Sequence, residues 1–221
     1  MEMKYVVPDM AQSFGTLEFA GESDHVFDRD KDNRRVFARR SYNLYSDVQR
    51  GENVVVEIPV QAGEKHFKEE PVAEPALNAI LEAGRVAPTA KNLQEQHTYV
   101  VQSPEKLALI DELTPCRYGA PTVLVVAFDK ENVFTYPGEN RNSGIEDATI
   151  VATHMLLAAK NAGVDSCWIN FFNPEEAALK LGLPENEEVL MMLDLGYAAE
   201  NGKPLANHAS RKPLSETVTF I

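Results

Sequence analysis

Residues 85–96 read Arg85-Val86-Ala87-Pro88-Thr89-Ala90-Lys91-Asn92-Leu93-Gln94-Glu95-Gln96. Upstream, Leu77, Ile80, Leu81 and Gly84 recur on one face at helical spacing, and Pro75 suits the first turn of that helix. Downstream, His97 to Gln102 reads as a short strand. The stretch therefore sets Pro88, the hydroxyl of Thr89 and the amides of Asn92 and Gln94 at a helix-to-strand junction. Short polar groups at such a junction suit a small-molecule site better than a core. Taken alone, the same residues also fit a capped turn.

The pattern continues as alternating helix and strand. Ser103 is an expected N-cap with Pro104 at the first helical position, and that helix runs to about Leu113. Val123 to Phe128 is a continuous apolar run, which fits a buried strand. Ser143 and Glu146 form a capping-box pair ahead of a long helix that ends near Gly163. Its apolar residues, among them Ile145, Ile150, Val151, Met155 and Leu157, point all round the axis. Burial on more than one side is expected, and in a chain of this size that indicates a subunit interface. Ser166 to Phe172 reads as a strand, Asn173-Pro174-Glu175-Glu176 as a helix start, and Gly182 as its stop. Val189 to Leu195 reads as a last strand, ended by Gly196.

The first 66 residues differ in character. Asp24 to Arg40 is dense in charge and lacks helical periodicity, whereas Val54 to Pro59 is a β-branched strand stopped by proline. Ser41 to Val48 alternates loosely and is read as another strand. The division expected is a small, mostly β module over 1–66 and a larger domain over 67–221.

With 221 residues and 44% hydrophobic content the chain can bury one sizeable core, or one domain plus a small appendage. No run of about 18 apolar residues exists, so no membrane span is expected. No basic region followed by an apolar stretch opens the chain, so no signal peptide is expected. Cys116 and Cys167 are too few for a disulfide framework, and reduced thiols in the cytoplasm are the simplest reading. A net charge of -13 argues against nucleic acid or an anionic membrane as partner. The histidines, His25, His66, His97, His154 and His208, show no metal-ligand spacing.

The stretch Pro88-Thr89-Ala90-Lys91-Asn92-Leu93-Gln94 resembles the Ala-Pro-Ser-x-x-Asn-x-Gln signature of the flavin-dependent nitroreductase family. Three further stations are similar to that family, in order: Phe67-Lys68-Glu69-Glu70-Pro71-Val72; Leu156-Leu157-Ala158-Ala159 with Gly163 and Cys167-Trp168-Ile169-Asn170; and Leu181-Gly182-Leu183-Pro184 with Leu195-Gly196-Tyr197 and Ser210-Arg211-Lys212-Pro213-Leu214. The resemblance implies an α+β fold, with a central, mostly antiparallel sheet flanked by helices. It implies a homodimer holding FMN at the subunit interface, with NADH or NADPH as electron donor and a nitroaromatic, quinone or similar small molecule as acceptor. It implies that Pro88, Thr89, Asn92 and Gln94 line the flavin, that Ile169 and Asn170 pass near its ring, and that Arg211 meets its phosphate. Cofactor chemistry of this kind requires no side-chain acid, base or nucleophile, so no catalytic residue is named.

Two departures stand out. The family often has glycine where Asn170 or Phe171 stands, and the bulkier residues narrow the ring pocket; the same residues also fit a plain buried strand end. The family's phosphate-gripping Arg-Arg-Ser-x-Arg has Gln61-Ala62-Gly63-Glu64-Lys65 in its place, where Lys65 alone keeps a positive charge. Residues 1–66 instead resemble small proteins of unknown function encoded by bacterial conjugative transposons, through Lys4-Tyr5-Val6-Val7-Pro8-Asp9, Phe14-Gly15-Thr16-Leu17-Glu18-Phe19 and Ala38-Arg39-Arg40-Ser41-Tyr42-Asn43-Leu44. Two readings stay open: an FMN-dependent oxidoreductase, or a flavin-deficient fusion of the same fold serving as a binding or mobile-element-associated module.

Overall fold

The structure is a computed structural model that describes residues 3–7, 54–58 and 65–221, apart from 139, 201, 203, 205 and 209. The strand expected over 41–48 and the Gln61 to Glu64 stretch lie outside the described residues.

Strands β1 (Met3–Val7) and β2 (Val54–Ile58) pair antiparallel, with Met3 opposite Ile58 and Val7 opposite Val54. The β-branched run over 54–58 therefore does form a strand.

The larger sheet has four strands: β3 (Gln96–Val101), β4 (Thr122–Asp129), β5 (Asp165–Ile169) and β6 (Glu187–Gly196). Their order is β3-β4-β6-β5, and every neighbouring pair is antiparallel. Strand β4 is buried from Thr122 to Phe128 because both faces of the sheet are covered. Helices α1 (Glu74–Arg85) and α3 (Gly144–Asn161) pack on the face carrying Leu124, Val126, Met191, Leu193 and Leu195. Helices α2 (Pro104–Leu113) and α4 (Pro174–Leu181) cover the other, with Val123, Val125, Ile169 and Met192. Each such fully buried side chain contributes about 1.5–3 kcal/mol of burial free energy. A bulge at Val126/Ala127 gives β6 an extra residue and turns Val189 onto the same face as Met192. The result is the α+β architecture expected.

Close approach sets the α1–α3 spacing. A Cβ at Gly84 would stand 2.8 Å from Met155 Cγ, and one at Gly144 would stand 2.2 Å from the Phe128 ring. From residue 65 onward the chain is tied into this unit: Phe67 bridges Ala198, and Lys68 N donates to Tyr197 O at 2.8 Å.

Local chemistry sets the helix ends. Ser103 Oγ accepts from Lys106 N at 3.3 Å, and Asn173 Oδ1 accepts from Glu175 N at 3.0 Å. Gly182 closes α4 in the left-handed region at φ 77°. The capping box expected at Ser143 is not formed. Ser143 sits at φ −84°, ψ −7°, and its hydroxyl turns inward to Glu95, while Asn142 Oδ1 accepts from Gly144 N at 3.0 Å. Glu146 instead engages Arg141 at 3.0 Å and the Tyr136 hydroxyl. Strand β5 ends at Ile169, short of Phe172, because Phe172 N turns back to Asn170 O at 3.0 Å.

No helix among the described residues is long and apolar enough to cross a membrane. The first turn of α3 carries Ile145 at 54% exposure, beside the exposed Glu146, while Thr149, Ile150, Thr153, His154 and Leu157 are half-buried.

Candidate functional site

The loop from Pro88 to Gln94 leaves α1 where Val86 N and Ala87 N close the last turn on Glu82 O and Gly84 O. Thr89 is extended, and a short 3-10 turn follows over Ala90–Asn92. Lys91, Asn92 and Gln94 then adopt φ of 53°, 56° and 57°. Left-handed backbone at a residue with a Cβ costs about 1–2 kcal/mol, less for asparagine. Three such residues within four positions persist only where the surroundings hold them, and such strain concentrates at ligand sites.

The restraints are specific. Thr89 Oγ1 accepts from Gln94 N at 3.0 Å, closing the loop on itself. Gln94 Nε2 reaches Asn92 O at 3.4 Å. Ala90 N donates to Asp147 Oδ1 on α3 at 3.0 Å, and Asn132 Nδ2 donates to Leu93 O at 3.3 Å. Thr89 is half-buried, while Asn92 and Gln94 face outward. The structure thus joins Thr89, Asn92 and Gln94 in one braced loop with its amides outward.

Beneath the loop lie two buried carboxyl groups, Glu95 and Asp147, each 4% exposed. Ser143 Oγ donates to Glu95 Oε1 at 3.5 Å and accepts from Phe134 N at 3.3 Å. Glu95 Oε2 and Asp147 Oδ2 have no hydrogen-bond partner in protein. Burial first, and then the hydrogen bond with Asp147, raises Glu95 to about 7. Sequence reading passed over both residues. A usable signal was present: Asp147 falls one helical turn before Val151 and two before Met155, on the buried stripe of α3.

The other expected residues engage neighbours near themselves. Ile169 is 2% exposed, with its side chain in the core on the α2–α4 side, so only its backbone could face a ligand. Asn170 is exposed, and its Oδ1 accepts from Trp168 Nε1 at 3.0 Å. Phe171 stands out at 73% exposure. Lys65 Nζ lies 5.3 Å from the centre of the Tyr118 ring. Arg211 is exposed, and its Nη1 donates to His208 O at 2.6 Å and Ser210 O at 2.7 Å.

A third buried acid lies on the far face of the sheet. Asp194, paired across the ladder with Val123 and Cys167, is fully buried with both oxygens unpartnered. Burial pushes it well above the carboxylate range, opposed by the charge of Arg117. That guanidinium is already held bidentately by Asp111, at 2.6 Å for both bonds.

An antiparallel sheet between two helical layers, with a strained polar loop leading into β3, defines an α+β fold. Residues 115–197 match the model of the nitroreductase family, and residues 4–99 match a family of bacterial proteins of unknown function (DUF961). A nitroreductase family protein from Clostridium difficile 630 superposes with a TM-score of 0.68 at 30% identity, covering 73% of this chain and 94% of that one. An FMN-dependent nitroreductase from Clostridium difficile R20291 gives a TM-score of 0.56 at 25% identity, covering 69% and 94%. An NADH dehydrogenase of Thermus thermophilus is 27% identical over 191 residues, covering 71% of this chain and 90% of that protein. The chain belongs to the nitroreductase family.

Proposed function

We propose that the chain is an FMN-dependent oxidoreductase of nitroreductase type, a cytoplasmic homodimer. The observation that carries this reading is the braced loop, whose left-handed Lys91, Asn92 and Gln94 hold two amides and a hydroxyl at one rim of the domain. Bound FMN would supply two-electron hydride-transfer chemistry between NADH or NADPH and a nitroaromatic, quinone or similar small acceptor.

The donor set fits that group. Thr89, Asn92 and Gln94 carry neutral donors and acceptors, suited to ribityl hydroxyls and to the polar edge of a flavin ring. Pro88 fixes the backbone at the loop's entry. The acidic residue of the stretch, Glu95, is turned inward and buried, so it adds no exposed negative charge there. Ile169 and Asn170 offer backbone groups to the ring. The Nη1 of Arg211 is held by two carbonyls, and the guanidinium has further N–H donors for a phosphate. Lys65 supplies a second cation. The protein's part is then to bind, orient and exclude water. Ile145, exposed on α3, supports the homodimer.

In the same reading residues 1–66 form a module ahead of the flavin domain, and the ties of Lys65 to Phe67 into the larger unit support a boundary near residue 66. A second reading has its own support. Arg211 turns to its own backbone, and Gln61-Ala62-Gly63-Glu64-Lys65 stands where the family has its basic strip, which favours a flavin-deficient fusion with weak or no turnover, acting as a binding or mobile-element-associated module. Purification of the full chain decides between them. Visible flavin absorbance, followed by NADH or NADPH oxidation that depends on an added nitroaromatic, supports the enzyme; colourless protein that takes up no FMN supports the module.

A further inference from the structure

We propose that Glu95 and Asp147 hold one proton between them, and that this shared proton fixes the 88–94 loop in its ligand-binding conformation, making Glu95 a positioning residue. Its effect on ligand binding rests on the flavin reading of that loop; the shared proton itself does not.

The geometry leaves little alternative. Both carboxyl groups are 4% exposed, and Ser143 links them, its hydroxyl donating to Glu95 Oε1 at 3.5 Å and its carbonyl accepting from Asp147 N at 2.8 Å. Two carboxylates held beside one serine away from water repel strongly, so one of the two stays protonated. Each keeps one oxygen without a protein partner, so no second group neutralises a second charge. Both are wired to the loop. Asp147 Oδ1 accepts the N–H of Ala90, inside the 3-10 turn, while Glu95 follows Gln94 directly and its carbonyl accepts from Asp129 N at 2.9 Å. The neutral acid donates its proton across the pair, and the remaining carboxylate is the acceptor that holds Ala90.

The charged groups around the pair do not compensate. Asp129 on β4 is engaged by Asn186 Nδ2 at 3.0 Å and by Glu131 N at 2.9 Å. Glu146 on α3 is tied to Arg141 and Tyr136. Lys91 on the loop lies over the Phe134 ring, 4.9 Å from its centre. Asp147 is the charged side chain whose field bears on Glu95 among the described residues, and its sign favours the protonated form of Glu95. Burial adds to this and raises Glu95 to about 7, so the proton leaves near neutral pH. Once it leaves, repulsion between two buried carboxylates falls on the loop, which is already strained at three residues.

Full-length protein, wild type and Glu95→Gln, is labelled with ¹³C at the glutamate side-chain carboxyl and titrated by NMR. FMN binding is followed in parallel by flavin fluorescence over the same pH range. The wild type is expected to show one glutamate carboxyl titrating near neutral pH, missing from Glu95→Gln. FMN binding should weaken by up to about tenfold per pH unit above that midpoint, as loss of a single proton dictates. In Glu95→Gln, whose neutral amide still donates to Asp147, FMN binding should not vary over this range. If every glutamate titrates in the ordinary carboxylate range, the shared proton is refuted. If the shifted titration is found but FMN affinity is the same at every pH, the positioning role is refuted. If no FMN binds at any pH, the flavin reading fails, and the NMR titration still decides the proton.

Discussion

Ala90 donates its backbone N–H to Asp147 Oδ1 at 3.0 Å, joining a loop and a helix that lie 57 positions apart in the chain. This bond couples the rim of the site to α3, the helix whose exposed Ile145 supports the dimer reading. Asp147→Ala removes the acceptor and opens a cavity beside Glu95. Unfolding in urea should show a loss of about 1–3 kcal/mol, the usual penalty for stranding a buried polar group. FMN titration should show about a tenfold loss of affinity or more. Asp147→Asn keeps an oxygen at Oδ1 and is expected to retain most of both.

Glu95 predicts the direction in which stability changes with pH. Its carboxyl is raised in the folded chain from an ordinary 4.5 to about 7. Between those values the folded chain binds a proton that the unfolded chain has lost. The stabilisation from this group is therefore complete below about pH 4.5 and is lost as pH rises through about 7. Glu95→Gln cannot lose a proton there. The Tm of Glu95→Gln minus that of wild type should rise between about pH 5 and pH 8 by several degrees, each kcal/mol being worth about 2–4 °C for a chain of this size. Calorimetry across that range checks the sign.

Gly144 predicts a packing limit at the base of the site. A Cβ there would lie 2.2 Å from the Phe128 ring, which is itself buried in the central strand β4. Gly144→Ala should destabilise by about 1–3 kcal/mol through overpacking. Gly84→Ala meets the unbranched side chain of Met155, at 2.8 Å from Cγ and 2.9 Å from Sδ, with Val151 Cγ1 at 3.4 Å, and should be milder. Chemical denaturation of both variants orders them.

Arg211 predicts selectivity for a phosphorylated flavin. Replacing it with alanine should weaken FMN and leave riboflavin, which lacks the phosphate, unchanged. A lost charge-assisted hydrogen bond of about 1.5–3 kcal/mol corresponds to about a tenfold to hundredfold drop. Parallel fluorescence titrations with the two flavins separate this role from a general loosening of the C-terminal segment.

Much of this architecture is readable in the chain because local and global preferences agree. The apolar run from Val123 to Phe128 gives a strand covered on both faces, and Ser103 and Asn173 cap the helices their positions predict. The reading stops where a side chain has a choice that only the fold settles. Ser143 has the right spacing for a capping box, yet a buried carboxyl competes for its hydroxyl and wins. Ile169 and Asn170 lie at a strand end as expected, but Asn170 spends its side-chain oxygen on Trp168. The loop's polar residues are legible, whereas the strain that makes the loop unusual is not, because left-handed Lys91 and Gln94 defy their own preferences. Glu95 and Asp147 meet only once α3 packs beside β3, so the buried stripe of α3 marks Asp147 while nothing near Glu95 announces its partner.

We propose that the braced loop belongs to a working flavin site. The most direct measurement is equilibrium dialysis of purified full-length protein against FMN, followed by NADH and NADPH oxidation with a nitroaromatic acceptor. Binding of one FMN per chain, with turnover that requires both nucleotide and acceptor, is the predicted result. A folded protein that retains no FMN and oxidises neither nucleotide would contradict it.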